Sequence, residues 1–411
     1  MEAKGAKLFN SDYFLIMVSA FGTNIVNYFF FSSLSLFAEK LTGTVAFAGF
    51  LSLAYSATAL IVRPVSGLLT DRYGRVKFII LGAILCAVAC LLYSFTVSLV
   101  LLILIRILNG FGMGMNTTSA GAAIPDIVPK ERLAEGVGIF SLYTTVSQAI
   151  GPFIALAIVG DGDFRNFNRL FYVAAIFCGV SFICACFVRY ERGKKKERPV
   201  KQEQIGPQEP DEPEGRIILG FDVRVFGPAL VIMLYFFGIS SILAFLTLYG
   251  KTRGFQVANL GWFFLVSAAS LFLARLILGR VVDRRGGDAL IIPGVIVTAV
   301  CLFIIPFAPS LPVLICIAAP YGFATGMVVP SFNAMTFKRC SPRRRGTASA
   351  AYFASVDVGI TLGAPVFGWL ADHVNFSWVY RFSAAVVGLT FLIYIFFVSD
   401  RQFERRKARA Q

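Results

Sequence analysis

Long apolar runs, separated by short charged segments, fill most of this chain. Twelve such runs follow one another between residues 13 and 398. Each holds roughly 20 mainly apolar residues, the length a helix needs to cross a bilayer core. The pattern predicts an all-α membrane protein with twelve transmembrane helices. The largest interruption is residues 189–222, RYERGKKKERPVKQEQIGPQEPDEPEGRIILGFD. It is charged and Pro-rich with little apolar content, so it reads as a flexible cytoplasmic linker. Its Lys194–Lys196 cluster is expected to meet anionic headgroups. The linker divides the spans six and six. The predicted organisation is a six-helix bundle at 1–188, the linker at 189–222, a second six-helix bundle at 223–400 and a basic cytoplasmic tail at 401–411.

The two halves also match in sequence. Arg63-x3-Gly67-x3-Asp71-Arg72-x-Gly74 recurs 212 positions later as Arg275-x3-Gly279-x3-Asp283-Arg284-x-Gly286. The same shift carries Gly110-Phe111 and Gly114-Met115 onto Gly322-Phe323 and Gly326-Met327. A shift of 213 carries Pro129, Phe140 and Pro152 onto Pro342, Phe353 and Pro365. Matches along a near-constant offset indicate a duplicated unit, hence two pseudo-symmetric bundles. Parallel repeats of this kind place a substrate site between the halves, near the bilayer midplane.

Composition supports the membrane reading. Of 411 residues, 57% are hydrophobic and only 15% charged, and the mean hydropathy is +0.74. A soluble protein of this length needs more polar surface. The net charge of +15 raises the question of nucleic acid, but Lys and Arg collect in the segments of one side. That is the positive-inside pattern. It reports topology, with both termini cytoplasmic, and no nucleic-acid partner is expected. Residues 1–12 are polar and the run after them is long enough to span, so no cleaved signal peptide is expected. Seven of the eight cysteines lie in apolar runs and Cys340 in a basic loop. Cys86 and Cys90 are expected to pack as small apolar groups. The one histidine, His373, falls in an external loop. With no P-loop, metal cluster or nucleophile-base pair, the chain reads as no enzyme, and no cofactor or metal is expected.

Residues 67–77, GLLTDRYGRVK, join the second and third spans. Gly67 would let a neighbouring helix approach closely. Gly74 permits a tight reversal. Asp71, beside Arg72 and Arg75 at the membrane edge, can pair with an arginine or cap a helix N-terminus. The plain alternative is a turn with ordinary interfacial charges. The segment resembles motif A of the major facilitator superfamily, G-x-L-x-D-R-x-G-R, through Gly67, Leu69, Asp71, Arg72, Gly74 and Arg75. The second copy, GRVVDRRGG at 279–287 with Asp283 and Arg284, is similar to that family's second-half version. The resemblance implies two bundles that rock around a central cavity, with motif A as a cytoplasmic gate. Asp71 would meet the start of the eleventh span near Gly346 and Thr347, and Arg75 would pair with Asp126. Arg63 and Arg275, at matching places in both halves, suggest a structural part in that gate.

Arg106-x2-Asn109-Gly110-x-Gly112 in the fourth span resembles motif B of the proton-coupled members, with Asn where Gln is usual. Arg106 would then tune a proton-binding group; the alternative is a structural role, bonding backbone carbonyls between helices. Motif C of the antiporters is only partly present, as Ser147-x3-Gly151-Pro152-x2-Ala155-Leu156. This leaves the direction of transport open, and Gly-Pro there is equally a tolerated kink. Asp357 stands deep in the eleventh span. A carboxylate in such surroundings can carry a proton through a transport cycle, or it can sit neutral and bonded to a polar neighbour. Asn24 and Asn27, Asn116, Tyr143, Gln148, Tyr235 and Asn333 are candidates for the substrate cavity, with interhelical bonding as the alternative for each.

The expectation is a secondary active transporter of the major facilitator superfamily, moving a small solute by alternating access. Proton-coupled efflux like that of drug:proton antiporters comes first. An uptake symporter or facilitator is the alternative, and a non-transporting sensor a second. The chain is expected to be a multi-pass monomer in the cell inner (cytoplasmic) membrane, with the substrate, protons and the lipid bilayer as its partners.

Overall fold

The computed structural model of the chain describes residues 10–44, 46–96, 98–129, 132–160, 162–191, 217–218, 221–285, 288–338 and 345–399. Twelve long helices account for nearly all of them. The first six are α1 (Ser11–Thr42), α2 (Ala46–Tyr73), α3 (Arg75–Tyr93), α4 (Leu99–Ile127), α5 (Leu133–Val159) and α6 (Phe164–Phe187). The second six are α7 (Val223–Thr252), α8 (Val257–Arg285), α9 (Asp288–Ile304), α10 (Leu311–Lys338), α11 (Arg345–His373) and α12 (Phe376–Ile393). All twelve are long and apolar enough to cross a membrane. The helical form follows from the solvent, because a spanning segment must satisfy its own backbone groups.

Several helices outrun the apolar stretch that predicts them. α1 has 32 residues and carries Lys40 in its last turn. Such polar end turns are held by local caps. Asn10 accepts from the Tyr13 amide at 2.7 Å, and Gly43 closes α1 in the left-handed region at φ +72°. Ser98 opens α4 and Asn375 opens α12 in the same way as Asn10.

The chain divides into two compact units: Met1–Gly43 with Ala54–Gly206, and Thr44–Leu53 with Pro207–Gln411. In the first, Phe37 packs on Phe167 and Phe171, and Tyr93 stacks on Phe171 at 5.2 Å. In the second, Tyr235 and Tyr394 both pack on Phe332. Large apolar side chains also cover the outside, among them Ile61, Leu68, Val100 and Leu276. A surface of that kind is stable facing lipid rather than water.

The sequence repeat is a packing repeat. A Cβ on Gly110 of α4 would lie 2.6 Å from the Tyr55 carbonyl oxygen of α2, and one on Gly114 would lie 3.2 Å from that of Ala59. In the second unit, a Cβ on Gly322 of α10 would overlap the Ser267 carbonyl oxygen of α8, and one on Gly326 would lie 2.7 Å from that of Leu271. All four residues of the second set stand 212 positions after their counterparts. Glycine at these places lets two backbones approach closely, the usual basis of helix packing in a membrane.

The linker departs from expectation at both ends. Arg189, Tyr190 and Glu191 are tied to the first unit, as described below. Further on, Ile217–Ile218 (β1) pairs antiparallel with Phe221–Asp222 (β2), with Ile217 opposite Asp222. Lys194–Lys196, Cys340, Pro342 and the 401–411 tail lie outside the described residues.

Candidate functional site

The motif A loop is organised around Gly74. Its φ of +99° lies where a side chain would be strained, so glycine is required. Gly74 caps α3 but has no side chain with which to do so. Glu191, just beyond α6, supplies the cap instead. The Arg75 amide donates to Glu191 Oε1 at 2.6 Å and the Val76 amide to Oε2 at 3.2 Å. A carboxylate there also meets the positive end of the helix dipole. The Tyr190 hydroxyl donates to Oε1 at 3.2 Å. Burial, and then the Glu191 carboxylate, push the Tyr190 phenol up, so it stays a neutral donor. The Arg75 guanidinium reaches α4, donating to the Asp126 carboxylate and the Ala122 carbonyl. Asp12 of α1 accepts from the Arg189 amide at 2.8 Å.

Glu191 escaped the sequence reading. Its only signal was a carboxylate just after the sixth span. A Cβ on Gly67 would meet nothing within 4 Å among the described residues. Arg72 is exposed and lies over the Tyr73 ring at 5.3 Å. The side chains of Asp71, Asp283, Arg284 and Thr347 lie outside the described residues, and for Gly346 only the helical backbone is described.

Arg106 is the eighth residue of α4 and only 1% exposed. Its guanidinium stands 4.6 Å from the Tyr55 ring centre and 6.0 Å from that of Phe30. Tyr93 packs on Phe30 at 4.8 Å, and its hydroxyl lies beside the guanidinium. Nε and Nη1 have no hydrogen-bond partner among the described residues. The bonds to backbone carbonyls that a purely structural role requires are therefore not seen at those atoms.

Asp357 is the thirteenth of the 29 residues of α11 and is half-buried. Two residues on, Gly359 lets α11 lie against the α7 backbone at Met233 and Phe237. Asn24 is buried and Asn27 half-buried, and both side-chain oxygens lack partners among the described residues. Tyr143 and Gln148 of α5 and Asn333 of α10 are half-buried.

Two cavity candidates show the interhelical bonding that is the alternative for each. Asn116 is fully buried, accepts from Thr23 at 2.8 Å and donates to the Ile79 carbonyl at 3.0 Å, joining α1, α3 and α4. Tyr235 is also fully buried, with its hydroxyl 3.2 Å from that of Thr298. Both bind helix to helix. Gly151 likewise serves packing, since a Cβ there would lie 2.7 Å from Tyr28 Cβ on α1. α5 runs on through Pro152 to Val159.

Comparison with known proteins agrees with this geometry. The model of the Major Facilitator Superfamily matches residues 13–359 and 229–411. An uncharacterised MFS-type transporter of Methanocaldococcus jannaschii is 24% identical over 383 residues, covering 92% of this chain and 96% of that protein. The staphylopine export protein of Staphylococcus aureus is 25% identical over 381 residues, covering 91% and 92%. Among solved structures, a D-xylose-proton symporter shares the fold at a TM-score of 0.74 with 18% identity, covering 95% of this chain and 98% of that one. Family match, twelve membrane-competent helices and duplicated packing extend over almost all of this chain, which thus belongs to the Major Facilitator Superfamily and is a membrane-embedded transporter of small molecules rather than an enzyme.

Proposed function

We propose that the chain is a proton-coupled exporter of a small solute, acting as a monomer by alternating access in the cytoplasmic membrane with both termini inside. The observation that carries the coupling is Asp357. Among the described residues it is the only acid in the middle of a helix; the others stand in or beside end turns. A carboxylate at such depth is retained for a function. In the proposed cycle it takes a proton from one side and releases it to the other. Gly67, Asp71, Arg72, Gly74, Arg75, Asp126, Asp283 and Arg284 form the cytoplasmic gate. Asn24, Asn27, Tyr143, Gln148 and Asn333 remain as substrate contacts.

Similarity to the staphylopine export protein favours export. The eroded motif C favours the second reading, proton-linked uptake. Proteoliposomes with an acidic lumen and a substrate panel separate the two. An antiported substrate raises the luminal pH on addition, and a symported one lowers it. Asp357→Asn is expected to abolish pH-driven transport while substrate exchange at equal pH continues. Full pH-driven transport in Asp357→Asn would sink the coupling role.

A further inference from the structure

We propose that Arg106 is an anion-binding site within the first unit, and that it takes a carboxylate carried on an apolar, aromatic body. This names a substrate class for the transporter and rests on that reading of the chain.

The first argument is charge. Arg106 lies two turns inside α4. Every acid on the first unit's six helices stands in or beside a terminal turn. Among the described residues no ion pair reaches the guanidinium, its Nε and Nη1 have no hydrogen-bond partner, and the neutral Tyr93 hydroxyl beside it supplies no counter-charge. The Tyr55 and Phe30 rings offset part of the cost of its burial. They leave N–H donors unsatisfied, and a buried charge without a counter-ion is strongly destabilising. A role in tuning a neighbouring proton carrier needs an acid beside it, and the described helices of its unit place none there.

The second argument is the repeat. α10 packs on α8 through Gly322 and Gly326 as α4 packs on α2 through Gly110 and Gly114. The position 212 residues after Arg106 is Ala318, fully buried. The same helix pairing is thus built without a charge, so Arg106 is not a demand of the architecture.

The third argument is a set of polar atoms on the helices that adjoin α4 or pack on its neighbour α1. Asn24 and Asn27 of α1 and Ser147 of α5 carry buried oxygens without partners among the described residues. α1 packs on both α4 and α5. Native interiors leave few such atoms unsatisfied, and a group of them on adjoining helices suits a bound polar molecule. One guanidinium balances one negative charge, which selects a carboxylate over a multiply charged phosphate. The aromatic collar selects the body. At 1% exposure, binding requires the side chains packed on the guanidinium to move.

Equilibrium dialysis of the purified full-length protein tests this, with labelled phenylacetate as the anion and phenylacetamide as its neutral isostere. Saturable binding of phenylacetate and none of phenylacetamide are expected. Arg106→Gln should weaken phenylacetate roughly tenfold or more, the scale of a lost charge-assisted hydrogen bond. Arg106→Lys keeps the charge without the planar fork and should fall between. Thermal unfolding and gel filtration establish that each variant is folded. If Arg106→Gln does not fold, the lysine variant decides, and an unchanged affinity there overturns the proposal. So does equal binding of acid and amide, or no saturable binding of phenylacetate at millimolar concentration. Phenylacetate bound through Arg106 but not moved in proteoliposomes would keep the anion site and remove the transport reading of it. Flux of neutral or cationic solutes that survives Arg106→Gln, without phenylacetate binding, would keep the transporter and remove the anion site.

Discussion

Glu191 shows how much of the motif A loop depends on a residue outside it. The motif supplies the reversal at Gly74 and the arm of Arg75, but the first amides of α3 find their acceptors 115 and 116 positions away. Glu191→Ala removes both, and is expected to destabilise the protein by about 1 kcal/mol, the scale of a lost helix cap. Glu191→Gln keeps one acceptor and should lose less. Thermal unfolding in detergent measures both, and equal losses would contradict the capping role. Sequence could not show this contact, because nothing local marks which helix end a carboxylate after the sixth span will face. The same limit explains Asn116 and Tyr235. A polar residue in an apolar helix is conspicuous, but its letter does not say whether it points to a neighbouring helix or to a cavity. The Arg75–Asp126 contact was legible only through the family resemblance.

Helices were legible because the bilayer imposes a length, and about 20 apolar residues in a row satisfy it in one way. Their ends were less so, since capped polar turns extend α1 past its apolar run. The glycine repeat was visible as an offset, and its partners were not. With them known, the tolerance of each glycine can be ranked. Gly322→Ala places a methyl group on the Ser267 carbonyl, which is backbone and cannot turn aside. Forcing α8 and α10 apart should cost about 1–3 kcal/mol. Gly121→Ala on α4 meets nothing within 4 Å and should be neutral or slightly stabilising. The same holds for folding in Gly67→Ala, so any loss of transport there would report on gating alone. Parallel unfolding curves for the three variants check the order.

At the scale of the whole molecule, the repeat separates scaffold from function. Close helix contacts recur in both units, so they belong to the scaffold. Arg106 has Ala318 as its counterpart and, at the shift of 213, Asp357 has Thr144. The two residues proposed to bind and couple are thus places where the halves differ. A duplicated structure that binds an asymmetric solute must break its symmetry somewhere, and a change of charge inside a membrane is the costliest break available. The symmetrised chain, Arg106→Ala with Asp357→Thr, tests the division. It should insert, elute as a single species and unfold near the wild-type temperature, because each unit already builds its helix pairs with those residue types in the other copy. It should bind no phenylacetate and show no pH-driven transport. A symmetrised chain that fails to fold would place both charges in the scaffold. One that still transports would move function to the half-buried polar residues Asn27, Gln148 and Asn333.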